Sequence, residues 1–252
     1  MSKSGLAGLL CRTVGRGGFS DPCVENLQRH LDQFELMARR LVGGASDRDV
    51  VMTGPYVGRS ILESGLTALR LRFDPFRSGS LYQFSRHPQY DPNATLRTRF
   101  QWMGDIFPEE APPSDTWHPD QKPQSISRAL FSAQLIELAW MPAVEALIDH
   151  LATAGKVVDI GYFQSETPQT AMSRYHGEIR QLYSFLSKGV HGEFYLMPST
   201  PLDPTTCREK VLSVVEFVSQ LGLASHFAYG YASGIAPEVA VRLYEKVQRD
   251  FQ

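Results

Sequence analysis

The sequence has no apolar run of the roughly 18 residues that a membrane-spanning helix requires, so we expect no membrane partner. Its opening residues are too short and too often interrupted by glycine to form the apolar core of a secretory signal. Cys11, Cys23 and Cys207 are scattered and form no C-x-x-C pair, so neither a zinc site nor a disulfide framework is predicted. These features favour a reducing cytoplasm.

Several common catalytic motifs are also absent. There is no glycine-rich phosphate loop and no G-x-S-x-G elbow around a nucleophilic serine. His176 and His191 each begin an H-x-E triplet, but the P-C-x-x-C half of the zinc deaminase signature is missing. We therefore expect no cofactor and no metal. The net charge of −2 excludes a global attraction for nucleic acid, so any basic surface must be local.

Apolar residues recur at helical spacing through most of the chain, which predicts an all-α helical bundle. We expect residues 1–20 to be a flexible, glycine-rich arm and residues 21–252 to form one domain. The Gly54-Pro55 pair predicts a turn before the second helix. The helices are predicted at about 21–43, 57–73, 124–153, 167–191, 205–222 and 236–251, with a short strand at 157–160.

Residues 74–123 interrupt the helical pattern with many prolines and aromatic residues. We interpret this stretch as an ordered insertion with a short helix near 95–103, because aromatic residues argue against disorder. Between positions 70 and 99 the sequence contains six arginines and only two aspartates, which is a local excess of positive charge. Arginines among aromatics suit phosphates and stacked bases, but they also cover a helical core, and both interpretations stay open. The candidate nucleic-acid-binding residues are Arg59, Glu63, Arg70, Arg72, Arg77 and Arg86.

A polar stripe lies near the end of the predicted helix at 167–191. At about 100° per residue, Arg180, Tyr183, Ser187 and His191 share one side, if the helix persists through Gly189. One interpretation is that the histidine caps the helix C-terminus while the hydroxyl groups bond neighbouring helices. The other is that the stripe forms a polar pocket with the arginines of the second helix.

The pattern Tyr-x-x-Leu-Ser-Lys-x-Val-His-Gly, from Tyr183 to Gly192, resembles the final helix of HEPN-type helical-bundle proteins. These proteins are common among the toxin, abortive-infection and RNA-processing proteins of prokaryotes. The stretches Arg59 to Glu63 and Phe73 to Arg77 are similar to an early helix of uncharacterised relatives of that group. In the family, an arginine four to six residues before the histidine completes a metal-free RNA-cleaving site, usually across a dimer.

His191 matches the family histidine, but Ser184, Phe185 and Leu186 occupy the positions where the arginine is expected. The resemblance implies that His191 is a general acid or base and that Tyr183 and Ser187 orient it. Lys188, or an arginine of the second helix, would stabilise the charge on phosphate, and Arg180 completes the candidate catalytic set. The hypotheses are a ribonuclease, an inactive module that binds nucleic acid or a partner protein, and a small-molecule-binding or structural domain. We expect a homodimer.

Overall fold

The computed structural model describes residues 4–12, 21–91, 93, 100–109, 117, 119–120, 122, 126–196, 202–229 and 234–252. All regular elements in these residues are helical, so the predicted all-α class is confirmed. The helices are α1 (Gly5–Cys11), α2 (Asp21–Gly43), α3 (Asp47–Phe73), α4 (Pro75–Ser85), α5 (Ala133–Leu135), α6 (Met141–Thr153), α7 (Tyr162–Ser165), α8 (Pro168–Val190), α9 (Glu193–Leu196), α10 (Pro204–Ser225) and α11 (Pro237–Phe251).

The buried apolar side chains form one continuous cluster to which helices from α1 to α11 contribute. Within the described part of the chain, no helix is both long enough and apolar enough to cross a membrane. The predicted strand at 157–160 is wrong, because these residues are irregular. The carbonyl oxygen of Asp159 instead accepts hydrogen bonds from Tyr244 (2.6 Å) and Gln248 (2.9 Å) on α11.

Helix α3 is the longest helix of the bundle and begins about ten residues before the predicted start. The side chain of Ser46 caps it by accepting a hydrogen bond from the Asp49 amide, at 3.2 Å. Pro55 lies inside the helix, so the predicted turn at Gly54-Pro55 is wrong. A proline inside a helix loses one backbone hydrogen bond. Its ring is packed against α8, where a Cβ atom on Gly189 would lie only 2.5 Å from the Pro55 Cβ and Cγ atoms.

Small residues let α3 pack closely against two other helices. A Cβ atom on Gly58 would lie 3.0 Å from Leu186 Cδ2 on α8, and one on Gly65 would lie 2.3 Å from Val218 Cγ1 on α10. Both distances are too short for a side chain, so the backbones approach as far as packing permits. The α3–α8 contact places Arg59 beside the C-terminal turn of α8.

Helix α1 corrects the expectation of a flexible arm for the residues described there. All of its residues are buried. The Glu35 carboxylate accepts the amide of Leu6 (2.9 Å) at its N-terminus, while the Arg72 guanidinium donates to the carbonyls of Leu9 (3.2 Å) and Leu10 (2.7 Å) at its C-terminus. Opposite charges at the two ends suit the helix dipole. Residues 1–3 and 13–20 lie outside the described residues.

The helix predicted at 124–153 begins later, at Ala133, where the Ser132 side chain caps it. A proline at position 142 favours a kink or a split in this helix. The regular α-helix is interrupted just before it by a π-helical turn at Ile136–Trp140, which runs directly into α6. Such a wide turn accommodates the proline, which cannot donate a backbone hydrogen bond and would otherwise crowd the preceding turn.

Part of the insertion at 74–123 is described, and it is ordered against the bundle. Helix α4 occupies its start, and a wide turn at Trp102–Ile106 packs beside α8. The Arg77–Asp105 ion pair, with Nε and Oδ1 2.6 Å apart, links α4 to this turn. Most of the short helix predicted near 95–103 lies outside the described residues.

Candidate functional site

One arginine of α3 joins two helices through three polar contacts. Arg59 Nε lies 3.0 Å from Glu63 Oε1, Nη1 lies 3.3 Å from His191 Nε2, and Nη2 donates to the Tyr183 hydroxyl at 3.1 Å. Its guanidinium carbon also lies 4.9 Å from the centre of the Tyr183 ring. We call these four residues the Arg59–His191 site. Arg59 and Glu63 belong to α3, and Tyr183 and His191 belong to the C-terminal end of α8.

His191 reaches α3 because α8 ends at Val190. His191 is the C-terminal capping residue, and its backbone amide donates to the Ser187 carbonyl at 2.9 Å. Gly192 then reverses the chain with a φ of +75°, which favours glycine. The capping interpretation is therefore correct for the backbone of His191. The imidazole still joins the cluster from α3, so the two sequence interpretations are compatible.

The contact between Arg59 and His191 suits one tautomer of the ring. A guanidinium can only donate, so the contact is a hydrogen bond when Nε2 accepts, as it does in the tautomer with its proton on Nδ1. His191 is exposed and the Arg59 side chain is 20% exposed. Of the five N–H donors of a guanidinium, the three contacts use three. Among the described residues, one donor on each terminal nitrogen has no partner and is available to an anion approaching from solvent.

The insertion contributes an aromatic wall to this site. The Trp102 ring stacks on Tyr183 with ring centres 3.9 Å apart and an interplanar angle of 18°. Asp105 anchors the segment, because its carboxylate is buried, pairs with Arg77 and accepts the Gln101 amide at 2.7 Å. Sequence reasoning missed Trp102. Its only signal was the aromatic-rich composition of the insertion, which does not say which ring meets α8.

The predicted stripe on α8 is divided between two environments. The Arg180 guanidinium lies 5.0 Å from the Phe107 ring centre, and its Nη2 lies 4.0 Å from Met103 Sδ. It therefore contacts the insertion rather than His191. His176, one turn earlier, lies 4.7 Å from the Phe107 ring centre. Burial lowers the pKa of His176, and the nearby Arg180 charge lowers it further.

The roles expected for Ser187 and Lys188 have different outcomes. The Ser187 hydroxyl is buried and bonds no other group among the described residues, so it does not orient the imidazole. Only its carbonyl oxygen contacts His191, through the backbone amide. Lys188 is exposed in the last turn of α8, three residues before His191.

Two arginines proposed for nucleic-acid binding are buried in the bundle. Arg70 is 2% exposed and pairs with Asp74 at 2.9 Å. Arg72 is 5% exposed and binds the carbonyl groups at the end of α1, and burial lowers its pKa to about 10. Neither guanidinium can reach a nucleic acid, so these two predictions are wrong. Helix α1, which was expected to be an arm, is the reason that Arg72 is covered.

The other predicted arginines differ in how available they are. Arg77 is half-exposed and its charge is paired with Asp105. Arg86 is exposed at the end of α4, where its guanidinium carbon lies 5.5 Å from the Tyr82 ring centre. Four of the predicted functional residues therefore lie together: Arg59, Glu63, Tyr183 and His191. They do not come from the arginine-rich segment at 70–99.

Comparison of the chain with protein-family models, with curated proteins and with solved structures gives no match. Within the described residues, no group of three or more histidine, cysteine, aspartate or glutamate side chains is placed to hold a metal ion. The functional interpretation therefore depends on the geometry of the Arg59–His191 site.

Proposed function

We propose that this chain is a HEPN-like helical protein of the prokaryotic defence or toxin type that cleaves RNA without a metal ion. The observation that supports this is the 3.3 Å contact between Arg59 Nη1 and His191 Nε2 at an exposed helix crossing. The resemblance of α8 to the family lacks an arginine on the same helix. Arg59 supplies a guanidinium from α3 at the place where that function needs one.

The proposed reaction is the attack of a ribose 2′-oxygen on the adjacent phosphorus. His191 Nε2 takes the 2′-hydroxyl proton, the O2′–P bond forms and the P–O5′ bond breaks. The products are a 2′,3′-cyclic phosphate and a 5′-hydroxyl, whose oxygen receives a proton from the imidazolium or from water. For this step, a phosphate oxygen replaces the imidazole as the acceptor at Arg59 Nη1, which frees Nε2 to act as the base.

Arg59 stabilises the negative charge that develops on the phosphate oxygens, the kind of electrostatic assistance that contributes most in many enzymes. Glu63 and Tyr183 hold the guanidinium through Nε and Nη2, so its orientation is set before substrate arrives. Lys188 adds a second positive charge at the end of α8. We also propose that two copies form a homodimer through this face, which would bring two histidines to one strand.

A catalytically inactive module that binds nucleic acid or a partner protein is the second candidate. The observation that favours it is the Glu63 carboxylate, which lies 3.0 Å from Arg59 Nε. A carboxylate so close neutralises part of the charge that a cleavage site would direct at phosphate. Binding tolerates this loss better than catalysis does.

The test is incubation of the purified protein with labelled single-stranded RNA in EDTA. We expect cleavage to a 2′,3′-cyclic phosphate, and His191→Ala should slow it by about 10²- to 10⁴-fold because it removes the general base. His87→Ala is the matched control, since His87 is an exposed histidine at the end of α4. A substrate with a 2′-deoxyribose at the cut position should resist cleavage.

Binding measured alongside cleavage separates the candidates. If His191→Ala retains RNA binding and loses cleavage, the ribonuclease proposal stands. If the wild-type protein binds RNA or DNA and never cleaves it, the inactive module is correct. A protein that neither cleaves nor binds nucleic acid at low salt contradicts both. Sedimentation measurements at the same protein concentration test the homodimer.

A further inference from the structure

An exposed aromatic ring lies one turn from Arg59 on the same helix. Tyr56 is 54% exposed. It precedes Arg59 by three residues, which separates them by about 60° around α3 and about 4.5 Å along its axis. The two positions therefore lie on neighbouring parts of the surface of α3, with the Tyr56 ring against α2 and the Arg59 guanidinium against α8. Met52, one turn earlier, is 60% exposed and extends this apolar surface.

The Tyr56 ring is positioned by a buried neighbour on α2. The Phe34 ring centre lies 5.7 Å away at an interplanar angle of 63°, an edge contact. Phe34 itself is 7% exposed and belongs to the core. An edge contact holds the ring on one side and leaves area free for stacking. Tyr56 therefore offers an exposed ring that is packed against the core along one edge.

The charge around the site suits a short contact with a nucleic acid. Arg59 and Lys188 are the cations that α3 and the end of α8 bring there, while Arg70 and Arg72 are buried and Arg77 is paired with Asp105. Proteins that follow a duplex neutralise many phosphates. An A-form duplex also keeps its bases stacked inside, where a tyrosine cannot reach them, whereas single strands offer free base faces.

We propose that the site binds single-stranded RNA, with one base stacked on Tyr56 while the neighbouring phosphate lies on Arg59. This inference rests on the proposed function and names its substrate class. Stacking on an aromatic ring tolerates every base, so Tyr56 selects for unpaired structure rather than for sequence. Tyr56 thus acts as a specificity residue, and His191 and Arg59 perform the chemistry.

The test is fluorescence anisotropy with two labelled RNA oligonucleotides, made non-cleavable by 2′-deoxyribose at every position expected to be cut. One is an unstructured strand and the other carries the same sequence inside a hairpin stem. The strand should bind at least tenfold tighter than the stem. Tyr56→Ala should weaken strand binding about 5- to 100-fold, as loss of a stacked base does. Tyr56→Phe should remain within about twofold of wild type, because stacking needs the ring and not the hydroxyl.

Tyr229→Ala is the matched control, because Tyr229 is 81% exposed and follows His226, which contacts Arg72. Arg72 lies about 20 Å from Arg59 along α3. This variant should bind the strand like wild type. If the melting temperature of Tyr56→Ala lies within a few degrees of that of wild type, a loss of binding is local. The Tyr56→Phe variant retains the ring and its packing, and its binding is measured in the same way.

The outcomes distinguish this inference from the proposed function. If His191→Ala abolishes cleavage but Tyr56→Ala binds the strand like wild type, the function stands and the stacking role is wrong. Equal affinity for strand and stem, or a salt slope much steeper than about −1 to −2, also overturns the inference. If the wild-type protein neither binds nor cleaves RNA, the proposed function fails and the inference with it.

Discussion

Helix α3 carries two arginine–histidine pairs that are built alike and lie in opposite environments. Arg59 contacts His191, the C-terminal capping residue of α8. Arg72 contacts His226, the C-terminal capping residue of α10, with Nη1 3.0 Å from Nε2. The first pair faces solvent, and the second is buried beneath α1. The same two residue types therefore form a candidate ligand site at one end of α3 and a buried structural contact at the other.

The protein supplies hydrogen-bond partners for most polar atoms of the buried pair, although Arg72 Nε has none among the described residues. His226 Nε2 lies 2.7 Å from the Leu9 carbonyl, Nδ1 accepts the Ile235 amide at 3.2 Å, and Arg72 donates to the Leu9 and Leu10 carbonyls. Burial, and then the adjacent Arg72 charge, keep the pKa of His226 well below its ordinary value. The exposed pair, by contrast, has two guanidinium donors without a partner in the part of the chain that the structure describes. The buried and exposed pairs therefore differ in whether a ligand can reach them, and not in residue type.

The largest difference that we expect between the two pairs is in their contribution to the free energy of unfolding. Arg72→Met should lower the free energy of unfolding by about 2 to 5 kcal/mol, because it leaves buried carbonyl groups of α1 without donors. Arg59→Met should lower it by less than about 1 kcal/mol, because its contacts are exposed. Urea unfolding measures both. If the two variants lost similar amounts of unfolding free energy, the distinction between a structural pair and an exposed candidate site would be contradicted.

Acid should weaken the buried pair through His226. In the unfolded chain His226 titrates near its ordinary pKa of 6.5, whereas the folded pKa lies well below it. Below about pH 6.5 the unfolded state therefore binds a proton that the folded state excludes, and stability falls as pH falls. One such proton gives a slope of up to about 1.4 kcal/mol per pH unit.

His226→Gln should reduce that slope, measured by urea unfolding between pH 7 and pH 5. Some acid sensitivity should remain, because burial also lowers the pKa of His30 and His176. An unchanged slope in the variant would show that His226 is not the group responsible.

The smallest effect concerns the exposed pair. Glu63 is 46% exposed, so its ion pair with Arg59 contributes at most about 1 kcal/mol to the position of the guanidinium. Its charge, however, repels an incoming phosphate. Glu63→Gln should therefore raise the affinity for the non-cleavable RNA strand by about two- to fivefold at low salt, and less at high salt. A weaker complex would mean that Glu63 serves mainly to position Arg59.

The sequence predicted the helical class from periodicity, and the i,i+4 spacing of Arg59 and Glu63 suits the ion pair that the structure shows. It also identified the second helix as a source of the cation for His191. It could not separate Arg59 from Arg72, because helical spacing does not reveal which end of a helix another segment covers. Helix α1 provides that cover, and its glycines suggested flexibility when their role is close packing. A Cβ atom on Gly5 would lie 3.0 Å from Val247 Cγ2.

One other error has a similar cause. Pro55 suggested a turn because a proline disrupts an isolated helix, but here its ring fills the contact with Gly189. The stripe on α8 assumed a helix that persists through Gly189, and α8 does continue to Val190. Helical spacing could not show that Tyr183 and His191 contact Arg59 while Arg180 contacts the insertion. Both features depend on tertiary packing, which local propensity does not contain.

The contact between Pro55 and Gly189 also sets the spacing of the Arg59–His191 site. Two residues without polar side chains set the gap between a guanidinium and an imidazole. A single methyl group at position 189 would act as a spacer, because it would lie 2.5 Å from the Pro55 ring and force the two backbones apart. Such a change would separate the Arg59 guanidinium from the His191 imidazole, although both residues would remain in the sequence.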